Sequence, residues 1–93
     1  MLTLDGARRL INNHIVTIGT LMSSLVHPRE IFAPVIEDRA ASIIIAYNHL
    51  GGTLDFSAQD RGIRNKIKQS GELLGIHFND HIIGAGDKFA SAL

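Results

Sequence analysis

The chain has 93 residues and no excess of charge, since nine Lys and Arg residues balance nine Asp and Glu residues. This length is enough for one hydrophobic core, and 45% apolar against 19% charged residues predicts one folded domain. Without net positive charge the chain lacks the usual electrostatic basis of nucleic-acid binding, so direct binding of DNA or RNA is not expected.

The sequence contains no cysteine, which excludes disulfides and thiolate zinc sites. Any metal ligand must therefore come from His, Asp or Glu. No apolar run approaches the ~20 residues of a membrane-spanning helix, and the start lacks the basic and apolar regions of a secretion signal. These features favour a cytoplasmic protein.

The first part of the chain predicts three strands. Residues 2–4 form the first, and the second lies near residues 10–11, where Asn12 and Asn13 are expected to interrupt it. The third comprises residues 15–21, which are rich in β-branched side chains.

A helix is predicted over residues 28–41, with Pro28 suited to its first position. Pro34 removes one backbone donor, so we expect either a kink there or a helix that starts only near Ile31. The apolar residues at helical spacing are Ile31, Phe32, Val35 and Ile36.

The middle of the chain predicts a central strand followed by a loop and a second helix. Residues 42–47 form a short apolar run of the kind that is covered on both faces. Residues 48–56 contain paired glycines and predict a loop. The second helix is expected to begin around Ser57 and to stop at Gly75.

The last part predicts one or two strands over residues 76–84 and an edge strand over residues 88–93. Alternating strands and helices indicate an α/β fold, with a mixed sheet and helices packed on it. In such folds ligands bind beyond the carboxyl ends of central strands, which here means the segment after Tyr47.

That segment places His49 near a strand end and Asp60 in the first turn of the next helix. Both side chains can then face one point, and zinc accepts ligands of these two kinds, although two ligands alone seldom hold it. The structural alternative is that Ser57 and Asp60 form a Ser-x-x-Asp pattern, which caps a helix start without any metal. The two roles are compatible.

Several separated blocks of the sequence have a recognisable order and spacing. They are residues 19–21, 26–30, 40–46, 48–49, Ser57, Asp60, 73–76 and 80–84. In this order and spacing they resemble the RadC family of JAMM (JAB/MPN) metallopeptidase-like domains. The resemblance covers nearly the whole chain and implies a mixed-sheet JAB/MPN fold, cytidine-deaminase-like, with three layers.

The resemblance implies a zinc site held by two histidines, separated by one residue, and an aspartate, with a serine that supports the oxyanion. His49 and Asp60 match two of the metal ligands, and Ser57 matches the catalytic serine. Tyr47 stands where the family has its first histidine, and residues 50–52 are Leu-Gly-Gly where the family has Pro-Ser-Gly. We therefore expect zinc to bind weakly or not at all.

Two parts of longer family members are expected to be missing. The general-base glutamate of JAMM enzymes lies on an N-terminal strand that this chain would have reached before Met1, and no glutamate precedes Glu30. The helix-hairpin-helix segment, which is the usual rationale for a DNA role, is also absent. Residues 1–93 are thus interpreted as one RadC-like JAB domain without the helix-hairpin-helix region and the first strand.

Two other titratable residues are secondary site candidates. Glu30 is an alternative general base, although the resemblance places it on the helix before the central strand. His81 follows Asp80, but adjacent strand residues point to opposite faces, which favours a structural role. His14 is expected to be a surface or edge residue. A solvated helix face is the simplest interpretation of the basic cluster Arg61, Arg64, Lys66 and Lys68.

Two functions from different classes remain. The first is a metal-dependent hydrolase of peptide or isopeptide bonds. Its activity is expected to be impaired or lost because Tyr47 replaces a ligand histidine, and a tyrosine phenol, whose ordinary pKa is ~10, is a poor ligand at neutral pH. The second is a non-catalytic module of the same fold that forms a homodimer or binds a protein partner. A sheet without its first strand exposes an edge that another chain can cover.

Overall fold

The computed structural model describes residues 1–14, 27–48, 58–85 and 88–91. Within these ranges only the backbone is described for Tyr47, Asn48, Gln59, Asp60 and Ala85. The predicted strand at residues 15–21 and most of the predicted loop at 48–56 lie outside the described residues.

The described residues form a five-stranded mixed sheet and two helices. The strand order is β2-β1-β3-β4-β5, with β3 and β4 parallel and the other neighbours antiparallel. The elements in chain order are β1 (Leu2–Leu4), β2 (Leu10–Asn13), α1 (Pro28–Glu37), β3 (Ser42–Asn48), α2 (Ala58–Leu74), β4 (His77–Ala85) and β5 (Lys88–Ser91). The predicted α/β class and the central position of the 42–47 strand are confirmed.

The core lies between the sheet and both helices. Ile43 and Ile45 alternate along β3 and so point to one face of the sheet, where they join residues of both helices in a single apolar cluster. Both helices therefore pack on the same face, and among the described residues the fold has two of the three expected layers. The buried members are Ile31, Phe32, Val35, Ile43, Ile45, Ile63, Ile67 and Ile76.

Helix α1 begins at Pro28 and contains Pro34, so the alternative start near Ile31 is wrong. The expected end near residue 41 is also wrong, because the chain turns at Arg39, whose φ of 54° is left-handed. There the N–H of Ala40 donates to the carbonyl of Val35 and the N–H of Arg39 donates to that of Ile36, the two bonds of a Schellman ending.

Helix α2 stops at Gly75 as predicted, by the same arrangement. Gly75 has a φ of 73°, a conformation that glycine adopts without steric cost. Its N–H donates to the carbonyl of Glu72, and the N–H of Ile76 donates to that of Gly71. Neither of the described helices is long and apolar enough to cross a membrane.

Two strands differ from the simplest sequence interpretation. Asn12 and Asn13 do not interrupt β2, because their backbone groups pair with β1 whatever their side-chain propensity. The segment at 76–84, where one strand or two were expected, is the single strand β4. It shifts register after Phe78, where the Asn79 side chain donates to the Ser42 hydroxyl at 2.9 Å. The predicted edge strand is confirmed as β5.

We expect Gly71→Ala to destabilise the domain by about 1–3 kcal/mol. A Cβ at this position would lie 2.6 Å from the carbonyl oxygen of Ile76. That backbone cannot easily move, because the N–H of Ile76 donates to the Gly71 carbonyl at the helix end. The control is Gly62→Ala on the same helix, where a Cβ meets nothing within 4 Å; we expect it to stabilise by about 0.5–1 kcal/mol. Urea unfolding of both variants measures this, and equal effects would contradict the close approach at Gly71.

Candidate functional site

The candidate site surrounds the carboxyl end of β3, the middle strand of the described sheet. Tyr47 and Asn48 are the last two residues of β3 and pair with Ile83 and Gly84 of β4. Because β3 and β4 are parallel, their carboxyl ends meet at the same edge of the sheet, which is where α/β folds bind ligands.

Helix α2 begins on the same side of the fold. Its C-terminal end leads through Gly75 and Ile76 directly into the first residue of β4, so its first residues lie towards the carboxyl ends of β3 and β4. Asp60 is the third residue of α2, and Tyr47 is the second-last residue of β3. The structure thus brings together the two elements that carry these positions.

The two other primary candidates, His49 and Ser57, lie outside the described residues. Ser57 immediately precedes the first residue of α2 in the sequence, and Asp60 follows at the third helical position. These are the positions of a capping pair, so the structural alternative for Ser57 and Asp60 stays open.

Glu30 lies in the first turn of α1, the helix that precedes β3, as the resemblance implied. Its carboxylate is exposed, and its Oε1 lies 3.8 Å from Nε of Arg29, which is also exposed. An exposed pair of this kind contributes little to stability. Nothing in this geometry holds the Glu30 carboxylate over a reacting centre.

His81 lies on β4 beside Ile45 of β3 and is almost completely buried, with 1% of its surface exposed. Its ring meets that of Phe78 edge to face, with centroids 6.4 Å apart. The carboxylate of Asp80 accepts a hydrogen bond from the backbone N–H of His81 at 2.7 Å. The imidazole is thus a packed side chain one strand away from the Tyr47 position.

A polar cluster that sequence reasoning missed joins β1, α1 and the residue after β2. The Asp38 Oδ2 atom accepts the hydroxyl of the fully buried Thr3 at 2.7 Å and lies 2.6 Å from Nε2 of His14. His14 follows an edge strand, as expected, but it is partly buried against this partner. Asp38 is 24 positions from His14 and 35 positions from Thr3 in the sequence, so no local pattern could reveal these contacts.

The geometry of this cluster indicates a role in stabilising the fold. The Thr3 hydroxyl and the His14 imidazole both approach the same carboxylate oxygen, so the histidine does not activate the hydroxyl as a nucleophile. Hydrogen bonds from His14, and then from Thr3, lower the pKa of Asp38. The ionised carboxylate therefore ties the end of α1 to the first two strands.

Among the residues whose side chains are described, no three His, Cys, Asp or Glu side chains are grouped as a metal site would require. The implied ligands His49 and Asp60 are not among those side chains.

The described residues form an α/β domain with a mixed sheet in the order β2-β1-β3-β4-β5 and helices packed on it, which is consistent with the JAB/MPN type. The sequence matches the RadC-like JAB domain over residues 1–93, and the chain belongs to that family.

Similar curated proteins are named UPF0758 proteins. A UPF0758 protein of Methanospirillum hungatei is 43% identical over 89 residues, which cover 96% of this chain and 40% of that protein. A UPF0758 protein of Chlorobaculum parvum is 42% identical over 91 residues, covering 98% of this chain and 41% of that protein. The chain thus spans about two-fifths of the length of these relatives.

We expect Asp38→Asn to destabilise the domain at neutral pH, and the difference from the parent to shrink as pH falls below about 4. The pKa of Asp38 is lowered in the folded state, so its contribution is complete above the pKa of the unfolded chain and is lost as pH falls through the folded-state pKa. Urea midpoints of both proteins between pH 2 and 7 measure this. The pKa of Asp5 is also lowered, but this residue is present in both proteins, so its contribution cancels in the stability difference. A difference that is constant with pH would contradict the role of the ionised carboxylate.

Proposed function

We propose that this chain is a JAMM-type, metallopeptidase-like domain whose metal site is incomplete, so that hydrolysis of peptide or isopeptide bonds is impaired or lost. The observation that carries the proposal is the tyrosine at the second-last position of β3, where the family resemblance requires a histidine. The membership of the RadC-like JAB family supports the comparison of this position with the family's metal site.

The donor set explains why zinc is expected to bind poorly. A catalytic zinc site has three protein ligands and an open position for water. His49 and Asp60 supply two of these ligands, whereas a neutral tyrosine phenol is a poor donor and must ionise to become a good one. The residues present therefore do not fit a complete zinc site, and we assign no catalytic step to a metal here.

A catalytic function would also require a general base. A base must lie within hydrogen-bonding reach of the water that it activates. Glu30 is the alternative base, but its carboxylate is exposed near Arg29. The role proposed for Ser57 is support of the oxyanion. His81 is a buried residue on β4, next to the strand β3 that carries Tyr47. A positioned general base contributes a factor of about 10²–10⁴ in rate, which Glu30 would have to supply.

We expect the metal-free protein to bind zinc more weakly than about 1 μM, and Tyr47→His to bind it at least about tenfold more tightly because the third ligand is restored. Calorimetric titration with zinc measures both. The matched control is Tyr47→Phe, which removes the phenol without adding a nitrogen ligand and should bind zinc as the parent does. Nanomolar binding by the parent would contradict the incomplete site.

A second function, that of a binding module, is favoured by β2, which is an outer strand of the described part of the sheet. All four of its residues are exposed, including Leu10 at 62% and Ile11 at 40%, and none of them is charged. Natural proteins usually protect such an edge with charges or proline. We propose that a second copy of the chain covers β2 by strand pairing, which gives a homodimer.

We expect a dimer in light scattering after size-exclusion chromatography at high protein concentration, and a monomer for Ile11→Lys, because the lysine charge opposes edge pairing. The control is Phe89→Lys on β5, the opposite outer strand, where Phe89 is 72% exposed; it should remain dimeric. A parent that stays monomeric, or a dimer disrupted only by the Phe89 change, would contradict pairing through β2.

A further inference from the structure

The charges of α2 are unevenly distributed around and along the helix. One side is apolar, with Ile63 and Ile67 buried in the core. The basic residues lie away from that side: Arg61, Lys66 and Lys68 are exposed and Arg64 is partly exposed. The two acidic residues of the helix, Asp60 and Glu72, lie near its two ends.

Three of these basic residues form one line on the helix, here called the basic stripe: Arg61, Arg64 and Lys68. Spacings of three and four residues place successive side chains on the same side of a helix. The stripe is about 10 Å long at a rise of about 1.5 Å per residue. Lys66 lies on another side, since it is two residues away from both Arg64 and Lys68.

The helix dipole does not account for this arrangement. Cations are favourable near the C-terminus of a helix and unfavourable near its N-terminus. In α2, Arg61 lies in the first turn and Arg64 in the second, whereas the last turn has no basic residue and contains Glu72. The positive side chains thus increase the positive potential at the N-terminal end of α2. This is the end of the helix that follows the candidate site residues in the sequence.

We propose that the basic stripe binds acidic residues of a peptide segment that lies across the candidate site. This inference rests on the proposed function, since it assigns the stripe to the substrate of the same site. Alternate residues of an extended peptide lie about 7 Å apart, and the helical rise from Arg64 to Lys68 is about 6 Å. Carboxylates on one face of the peptide therefore match the spacing of the stripe.

The chemistry of the stripe fits carboxylates. Arg61 and Arg64 each already interact within the chain, but a guanidinium has five N–H donors and can bind a carboxylate in addition. The positive potential is local, because the whole chain has no net charge. Nucleic acid, which requires many phosphate contacts, is therefore the less favoured occupant.

The experiment is fluorescence anisotropy with a short fluorescein-labelled peptide of alternating Glu and Gly, and a matched peptide with Gln in place of Glu. The protein is kept metal-free with chelator at about 50 mM salt. We expect the acidic peptide to bind at least about tenfold more tightly than the neutral one. Charge reversal by Arg61→Glu or Lys68→Glu should weaken its binding about three- to fivefold or more each.

Lys66→Glu is the matched control, because it makes the same change of charge on the same helix but away from the stripe. It should alter the affinity by less than about twofold, and thermal melts of all variants confirm folding. If Lys66→Glu lost as much affinity for the acidic peptide as the stripe variants, the effect would be one of net charge alone, and the proposal would be overturned. Equal binding of the two peptides, or tighter binding of a single-stranded oligonucleotide, would also overturn it.

This test is independent of the zinc titration. If Tyr47→His gains zinc affinity while no peptide discriminates by charge, the stripe proposal fails and the incomplete metal site stands. If the acidic peptide binds as expected while the parent binds zinc at nanomolar strength, the stripe stands and the incomplete-site proposal fails.

Discussion

The structure depends on the burial of β3 between two strands and two helices. Its backbone pairs with β1 on one side and with β4 on the other, while Ile43 and Ile45 are 1% and 3% exposed in the core below the helices. Burial of such a side chain contributes about 1.5–3 kcal/mol, a large part of the stability of a small domain. Because β3 and β4 are parallel, the same constraint fixes where the chain leaves the sheet, and with it the candidate site.

The C-terminal ends of the two helices are anchored next to the sheet, and they determine where each helix begins. Both α1 and α2 terminate in Schellman motifs, at Arg39 and Gly75, and each leads within a few residues into a strand. The close approach of Gly71 to the Ile76 carbonyl fixes the end of α2 against the core. Since a helix is rigid, its anchored C-terminal end determines where its first turn lies, and that turn contains Asp60.

The proposed loss of a metal ligand is compatible with an intact fold, because the residue types at the site positions also suit a strand end and a helix start. Tyrosine is favourable in a strand, so Tyr47 can occupy the end of β3 in place of a histidine. A serine and an aspartate at the start of α2 can stabilise the helix whether or not a metal binds. Ser57 and Asp60 are thus compatible with the fold whether or not the domain is catalytic.

Local sequence patterns determined the elements and the family. The apolar run of β3, the stop at Gly75 and the last edge strand could be predicted because each depends on neighbouring residues. So could the resemblance that names His49, Ser57, Asp60 and Tyr47 as site positions. Tertiary structure alone decided the strand character of Asn12 and Asn13, the early end of α1 and the contacts of Asp38 with Thr3 and His14. Pairing with another strand satisfies the backbone hydrogen bonds of an asparagine, and packing brings together residues that are distant in sequence. Neither interaction produces a periodic pattern in the sequence.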